Sequence, residues 1–127
     1  MEVIQTDSAP ANIGPYSQGI RDGDTVFVSG QGPVDPETGE IIGGDIQDQT
    51  CQTLENVDAI LRAAGGSLDD VCKTTVFVRD MANYNEINET YSKYFTDPFP
   101  ARSAVEVSDL PVPIDIEIEA QATIPLD

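Results

Sequence analysis

The run "IDIEIEAQATI", residues 114–124, restricts the fold more than any other stretch of the chain. Apolar side chains recur at every second position (Ile114, Ile116, Ile118), and polar ones fill the positions between them (Asp115, Glu117, Glu119, Gln121). Because successive side chains of a β-strand point to opposite faces, this pattern predicts a strand with one buried and one polar face. The chain should therefore build a sheet that is covered on at least one side.

Two segments have the three-to-four-residue apolar spacing of amphipathic helices, and they could supply that cover. The first is predicted near residues 46–64, with Asp45 as its N-cap and Gly65-Gly66 after its end. The second is "ANYNEINETYSKYF", residues 82–95. Its buried face is predicted to hold four positions, for which packing is preferred over a ligand role: Tyr84, Ile87, Tyr91, and Tyr94 or Phe95.

The other patterned segments predict strands. "VCKTTVFVRD" indicates a strand over 71–79, another is expected near 102–107, and apolar residues on both sides of Asp22-Gly23 indicate a hairpin. The order is ββαβαββ, with room for a short leading strand at Val3–Ile4. We therefore expect one α+β domain over residues 1–127, with both helices on one face of the sheet.

The face without helices should also carry apolar surface. Phe77 alternates with Val76 and Val78, so it must point away from whichever face buries the two valines. Apolar surface of this kind usually packs against something. Other copies of the same chain are the simplest partner.

Acidic residues dominate the charge of the chain. There are 23 of them against 6 basic ones, a net charge of −17, and they are scattered along the sequence. Even scatter favours adaptation to a very salty cytosol over an acidic docking surface for a basic partner. At about 1 M salt the Debye length is roughly 3 Å, so such charges would be largely screened. The same charge argues against binding to nucleic acid.

Several reaction and location classes are excluded or disfavoured by what the sequence lacks. Histidine is absent, which excludes Ser-His and Cys-His catalysis. Cys51 and Cys72 lack CxxC spacing and are predicted to be buried thiols. No apolar run approaches the roughly 20 residues of a membrane span, and residues 1–10 have no signal-peptide pattern. We expect a cytoplasmic protein that does not bind membranes.

Arg102, in "FPARSAVEV", is the first candidate for chemistry. It lies between a proline-flanked turn and an apolar run, where partial burial is expected. A buried guanidinium needs an anion, and its planar fork suits a carboxylate. Two partners stay open: one of the chain's own acids, or a ligand.

Glu117 could act as a general base, or it could belong to a solvated acidic face. If the last two strands pair as a hairpin, Glu117 and Arg102 could lie close together. Three further residues each have a structural alternative. Ser29, in "VSGQG", could simply end a strand; Tyr16, in "IGPYSQG", could be an ordinary strand-start aromatic; Asn88 could bond to backbone.

These stretches occur in an order that resembles the RidA family, the YjgF-type reactive-intermediate imine deaminases, from about residue 8 to residue 124. The stretches are "IGPYSQG", "VSGQGPVDPETGE", "QTLENVDAILRAAG", "VCKTTVFVRDM", "INETYSKYF", "FPARSAVEV" and "IEIEA". The resemblance implies a chorismate-mutase-like α+β fold and a homotrimer with ligand clefts between subunits. It also implies hydrolysis of 2-imino and enamine acids, which pyridoxal-phosphate enzymes release, to 2-oxo acids and ammonia without a cofactor.

By this resemblance Arg102 binds the substrate carboxylate and Glu117 positions the attacking water. The cleft would be lined by five further residues: Tyr16, Ser29, Gly30, Asn88 and Ala104. The chain departs from the family at Ala104, because many deaminases have cysteine there. A non-catalytic module that binds 2-oxo acids, or one that is chaperone-like, is therefore the alternative. Ribonuclease activity, proposed for some relatives, is disfavoured by the lack of histidine and of basic surface.

Salt should assist the capture of an anionic substrate. A net charge of −17 repels such a substrate in dilute buffer, and added salt screens that repulsion. We expect kcat/KM for a 2-imino acid to rise from dilute to molar salt in steady-state assays. A flat or falling profile would contradict both salt adaptation and the repulsion argument.

Overall fold

A computed structural model describes residues 1–126, which form one six-stranded mixed sheet and two helices. The strands are β1 (Glu2–Ile4), β2 (Gly19–Asp22), β3 (Thr25–Gln31), β4 (Val71–Val78), β5 (Ala101–Glu106) and β6 (Ile116–Thr123). The helices are α1 (Ile46–Ala63) and α2 (Tyr84–Tyr94), and short 3-10 turns cover Leu68–Asp70 and Met81–Asn83. The α+β class and the leading strand agree with the sequence prediction.

The strands are arranged in the order β1-β2-β3-β6-β4-β5. Strand β6 lies between β3 and β4 and is antiparallel to both, whereas β5 is parallel to β4 and forms an edge of the sheet. The last two strands therefore do not pair as a hairpin, the condition under which the sequence would bring Arg102 and Glu117 close together. Since β4 separates them, residues of β5 and β6 are not direct neighbours.

The core lies between the sheet and the helices, on the face that the alternation of β6 predicted. The apolar residues of β6 are buried, and Val76 and Val78 of β4 pair with Ile118 and Ile116 on the same face. Helix α1 contacts β3, β6 and α2. Helix α2 reaches the same sheet face through a hydrogen bond between Tyr91 and Thr74. Both helices cover one face, as expected.

Helix α1 begins and ends as the sequence predicted. The side chain of Asp45 accepts a hydrogen bond from the backbone N–H of Asp48, at 2.9 Å. After the helix, Gly65 has φ +92°, a conformation that favours glycine. The N–H of Gly66 then donates to the carbonyl of Leu61. These bonds satisfy backbone groups that a helix leaves unpaired at its ends.

Two local predictions were wrong. The hairpin turn is Gly23-Asp24 rather than Asp22-Gly23, because Asp22 pairs with Thr25 as the last rung of the hairpin. Gly23 takes the positive φ that such a turn requires, +64°. Cys72 is exposed rather than buried. It lies where the pairing of β4 with β6 shifts register. Cys51 is half-buried.

Arg21 is the arginine that is buried in the fold, with 8% of its surface exposed. Its guanidinium donates to the carbonyl oxygens of Ala64 (2.6 Å), Ile124 (2.7 Å) and Gly23 (3.3 Å). Ala64 ends helix α1, where a positive charge also meets the negative end of the helix dipole. Arg21 therefore joins β2, the end of α1 and the segment after β6.

The face opposite the helices, hereafter the open face, exposes apolar side chains. Val3, Phe27 and Val105 are 60%, 42% and 41% exposed. Their strand partners Ile20, Gln121 and Phe77 lie on the same face. Self-association through this face stays a prediction. Within residues 1–126, neither helix has the length and apolar character needed to cross a membrane.

Replacing Arg21 with methionine should destabilise the fold while keeping the apolar part of the side chain. The carbonyls of Ala64 and Ile124 would lose their donor, which costs roughly 2–4 kcal/mol in the free energy of unfolding. Urea denaturation measures this loss. Arg62→Met is the matched control, because Arg62 forms an exposed ion pair with Asp58 and should change stability little. Equal effects of the two variants would contradict the role of Arg21.

Candidate active site

The candidate residues form two groups on opposite faces of the sheet. Arg102 of β5 pairs with Thr74 of β4, which points to the helices. Glu117 of β6 pairs with Phe77 of β4, which points to the open face. Since Thr74 and Phe77 are three positions apart in one strand, their partners lie on opposite sides. Arg102 and Glu117 therefore do not approach each other within one chain, because the hairpin that would have brought them together does not form.

The first group, hereafter the arginine cluster, consists of Arg102, Thr74 and three residues of α2: Tyr84, Asn88 and Tyr91. The guanidinium carbon of Arg102 lies 4.8 Å from the centre of the Tyr91 ring and 5.5 Å from that of Tyr84. Its Nη2 donates to the Tyr84 hydroxyl at 2.9 Å. The Tyr91 hydroxyl is hydrogen-bonded to Thr74 Oγ1 at 2.7 Å. Arg102 is thus held by aromatic rings and one hydroxyl.

Arg102 has no carboxylate partner within residues 1–126. The ion pairs there are Arg62 with Asp58 and Arg79 with Asp109. Glu106, the acid of β5, instead accepts a hydrogen bond from the N–H of Met81. Of the two partners that the sequence left open, an acid of the same chain is therefore contradicted. The guanidinium keeps N–H groups with which it could bind an external anion.

The hydrogen bonding of Asn88 is also incomplete, and its amide affects Tyr84. The carbonyl oxygen of Asn88 is buried and accepts no hydrogen bond from the described residues. The Asn88 side-chain amide, together with the Arg102 guanidinium, stabilises the Tyr84 phenolate and lowers the pKa of Tyr84 below its ordinary value. Burial instead raises the pKa of Tyr91, although its contacts with Thr74 and Arg102 oppose this. The two tyrosines therefore differ in how readily they ionise.

Sequence reasoning missed the part that Tyr84 and Tyr91 take in this cluster. Both were assigned to the buried face of α2, but Tyr84 is 37% exposed and lies against Arg102. The available signal was the spacing of Tyr84, Asn88 and Tyr91, which places polar tips along one stripe of the helix. The strand facing that stripe could not be identified from the sequence.

The second group, hereafter the carboxylate cluster, consists of Glu117 and its two neighbours Gly30 and Glu119. Glu117 is half-buried; burial raises the pKa of its carboxyl, and the nearby charge of Glu119 raises it further. Gly30 lies directly against it, since a Cβ at position 30 would be 2.6 Å from Glu117 Oε2. Glycine is therefore required there for the carboxylate to keep its place. A raised pKa brings a carboxylate closer to the value that suits a general base.

Ser29 and Gly30 lie where the pairing of β3 with β6 is interrupted, between Val28 and Gln31. The hydroxyl of Ser29 donates to the carbonyl of Ser17, and its N–H donates to the carbonyl of Gln18. The Ser29 hydroxyl is thus used to hold the preceding loop against β3. That loop carries Tyr16, whose hydroxyl accepts a hydrogen bond from the N–H of Ile13 at 3.3 Å.

Ala104 belongs with the arginine cluster rather than with Glu117. It pairs with Val76 of β4, two residues along β5 from Arg102 and on the same face. Its side chain is half-buried and packs against the core. Because β5 is an edge strand, the backbone beside Ala104 has no strand on its outer side among the described residues. Backbone groups there could bind a ligand or another chain.

Comparisons with known proteins identify relatives over almost the whole chain. Residues 6–124 match the sequence model of the family "Endoribonuclease L-PSP". A RutC family protein of Pyrococcus horikoshii is 58% identical over 121 residues, which cover 95% of this chain and 96% of that protein. The 2-iminobutanoate/2-iminopropanoate deaminase of Salmonella typhimurium is 51% identical over 124 residues, which cover 95% and 96%.

Solved structures show the same fold. RidA from an Antarctic Psychrobacter is 44% identical, with a TM-score of 0.94 over 98% of this chain and all of the other. Escherichia coli TdcF, solved with bound serine, is 47% identical, with a TM-score of 0.91 over 97% of this chain and 98% of the other.

Replacing Glu117 with glutamine should stabilise the folded chain at neutral pH. A carboxyl whose pKa is higher folded than unfolded costs stability when ionised, and this cost disappears as pH falls through the raised pKa. Glutamine keeps the shape without the charge. Because half of the group meets solvent, we expect the Tm at pH 7 to rise by only roughly 1–4 °C. Scanning calorimetry from neutral to acidic pH should show the difference in Tm between Glu117→Gln and the unsubstituted chain becoming smaller.

Glu37→Gln is the matched control for the Glu117 variant. Glu37 lies in the loop after β3 and is exposed to solvent, and its replacement changes the net charge by the same amount. A general effect of lower negative charge would raise the Tm of both variants equally. A Glu117→Gln variant that is less stable at neutral pH, or whose gain is the same at every pH, would contradict the raised pKa.

Proposed function

Because the chain belongs to the Endoribonuclease L-PSP family, which includes the RidA proteins, we propose that it hydrolyses 2-imino and enamine acids to 2-oxo acids and ammonia. The deaminase of Salmonella typhimurium, 51% identical over nearly the whole chain, supports this reaction. The two clusters also support it, because the arginine cluster offers a cation that could bind the substrate carboxylate, and the carboxylate cluster offers a base that could orient a water. We place the reaction in the cytoplasm, where the sequence led us to expect the protein.

The observation that carries the proposal is the state of Arg102. It is half-buried in a chain with 23 acidic residues, yet it bonds to a tyrosine hydroxyl and packs on two rings instead of on an acid. A guanidinium of this kind offers a planar fork to a small carboxylate. Escherichia coli TdcF was solved with bound serine, which carries a nitrogen on the carbon next to its carboxylate, as a 2-imino acid does.

We further propose that two copies of the chain complete each site, in a homotrimer. Arg102 and Glu117 lie on opposite faces of one sheet, so a single substrate cannot contact both within one chain. If the open face of one copy packs beside the β5 edge of the next, the carboxylate cluster of the first meets the arginine cluster of the second. The exposed Val3, Phe27 and Val105 support packing at the open face.

The chemistry then needs few groups. Arg102 holds the substrate carboxylate, which fixes the imine carbon next to it. Glu117 orients a water and accepts its proton as the oxygen attacks that carbon. That proton passes to the imine nitrogen, which gives a carbinolamine. The hydroxyl proton of the carbinolamine then moves to the nitrogen as the C–N bond breaks, so that ammonia departs and a 2-oxo acid remains. No cofactor is required. Five residues would line the cleft: Tyr16, Ser29, Gly30, Asn88 and the backbone of Ala104.

Burial of Glu117 suits this assignment. A carboxylate whose pKa is raised is a stronger base than an ordinary surface glutamate. The contact with Gly30 limits where the carboxylate can be, so the bound water would have a defined position. Positioning of this kind supplies much of the rate in such hydrolyses.

A non-catalytic module that binds 2-oxo acids is the second candidate, and Ala104 is the observation that favours it. Position 104 lies two residues from Arg102 along β5, on the same face of the sheet. Many deaminases of the RidA family have a cysteine at this position. A methyl group there removes the thiol from the arginine side of the cleft. Such a chain could bind a 2-oxo acid at Arg102 without turning over the imine.

Adding the protein to a threonine dehydratase reaction tests the proposal. We expect faster release of 2-oxobutanoate, because the protein would hydrolyse the imine that the dehydratase forms. Arg102→Ala should lower this effect by roughly 100-fold or more in kcat/KM, since the carboxylate loses its positioning. An unchanged release rate together with measurable 2-oxobutanoate binding would indicate the non-catalytic module.

Arg79→Ala is the control for the loss at Arg102. Arg79 is a partly exposed arginine whose Nη1 is 3.5 Å from Asp109, and it is outside both clusters. It should keep nearly full activity. Tm values for both variants show whether either change unfolds the chain. Full activity in a folded Arg102→Ala variant would refute the role given to this arginine.

A further inference from the structure

The hydroxyl of Tyr84 has no part in the function proposed above, yet it makes the one hydrogen bond that we observe to the Arg102 guanidinium among residues 1–126. It accepts from Nη2 at 2.9 Å. Tyr84 is on the exposed side of α2, so this contact does not result from close packing in the core. The polar tip of an exposed tyrosine is thus directed at the group that binds the substrate carboxylate.

The two tyrosines restrain Arg102 in different ways. The Tyr91 ring, 4.8 Å from the guanidinium carbon and itself bonded to Thr74, restricts the plane of the guanidinium. Packing on a ring still allows the guanidinium to rotate within that plane. A hydrogen bond to one N–H removes this freedom, so the remaining N–H groups face one direction. Fixing a binding group before the ligand arrives reduces the entropy cost of binding.

We propose that Tyr84 is a positioning residue for carboxylate recognition: its neutral hydroxyl aims the Arg102 fork, and its phenolate competes with the substrate carboxylate for that guanidinium. This inference rests on the proposed function, because it takes Arg102 as the carboxylate-binding group. A neutral phenol accepts one N–H and leaves the others for the ligand. A phenolate would form a charge-assisted pair with the same guanidinium.

The surroundings of Tyr84 favour its ionisation. The groups that face it are Asn88, on the same helix, and Arg102, on β5, and together they lower the pKa of Tyr84. Tyr91, the other ring on Arg102, has a pKa raised by burial. As pH rises, Tyr84 should therefore lose its proton before Tyr91. By reciprocity, a carboxylate bound to Arg102 should make the Tyr84 proton harder to remove.

Calorimetric titration with 2-oxobutanoate, from neutral to alkaline pH, tests this proposal with the full chain. At neutral pH we expect Tyr84→Phe to bind roughly fivefold more weakly than the unsubstituted chain, because the fork is no longer aimed. As pH rises, the affinity of the unsubstituted chain should fall and that of Tyr84→Phe should not. If Tyr84 had only a structural role, the loss of affinity at alkaline pH would persist in Tyr84→Phe.

Tyr94→Phe is the matched control. Its hydroxyl is bonded to Glu55 at 3.0 Å, away from Arg102, so this variant should keep both the affinity and the pH profile of the unsubstituted chain. Equal affinity of Tyr84→Phe and the unsubstituted chain at neutral pH, or an alkaline decrease that persists in Tyr84→Phe, would overturn the proposal.

A second measurement needs no variant. At alkaline pH, adding butanoate should reduce the ultraviolet absorbance of tyrosinate by about one tyrosine, since the carboxylate displaces the Tyr84 phenolate from Arg102. An unchanged spectrum at saturating butanoate would contradict the competition.

These binding measurements separate the inference from the proposed function. Deamination with no effect at Tyr84 defeats the inference alone. An effect at Tyr84 without deamination defeats the proposed reaction alone. If the unsubstituted chain binds neither 2-oxobutanoate nor butanoate, both fail.

Discussion

The two-residue period of β-strands determines where each charged group of this chain lies. Because β4 separates β5 from β6, the pairs Arg102–Thr74 and Glu117–Phe77 direct the guanidinium and the carboxylate to opposite faces. The helices bury one face, on which the guanidinium is supported by aromatic rings. The other face stays open, with the carboxylate and several apolar side chains. The proposed need for a second copy follows from this separation.

Two arginines illustrate how the same side chain takes different roles. Arg21 is buried and satisfies three backbone carbonyls, so its N–H groups serve the fold. Arg102 bonds only to Tyr84 among the described residues and packs on rings, so most of its N–H groups are available. A guanidinium on aromatic rings loses less hydration than one enclosed by apolar side chains, which makes this arrangement tolerable without an acid.

Local patterns were sufficient to predict most elements of the fold. The alternation in 114–124 identified β6 and its buried face, and Asp45 and Gly65 bounded α1 correctly. Strand order could not be predicted in the same way, because periodicity indicates which face of a sheet a residue occupies but not which strand lies beside its own. Whether the last two strands pair as a hairpin therefore stayed open until the structure showed that they do not. The closeness of Arg102 and Glu117 depended on that pairing. The tyrosines on Arg102 were missed because the strand that faces them was unknown.

The contact between Gly30 and Glu117 has a consequence for how such a site can change. Gly30 has no positive φ, so its backbone would accept a side chain, but even a methyl group would collide with the carboxylate. Under the proposed function, a side chain at position 30 would displace the carboxylate that orients the water and leave the carboxylate-binding arginine on the other face in place, so substitution here would separate ligand binding from turnover.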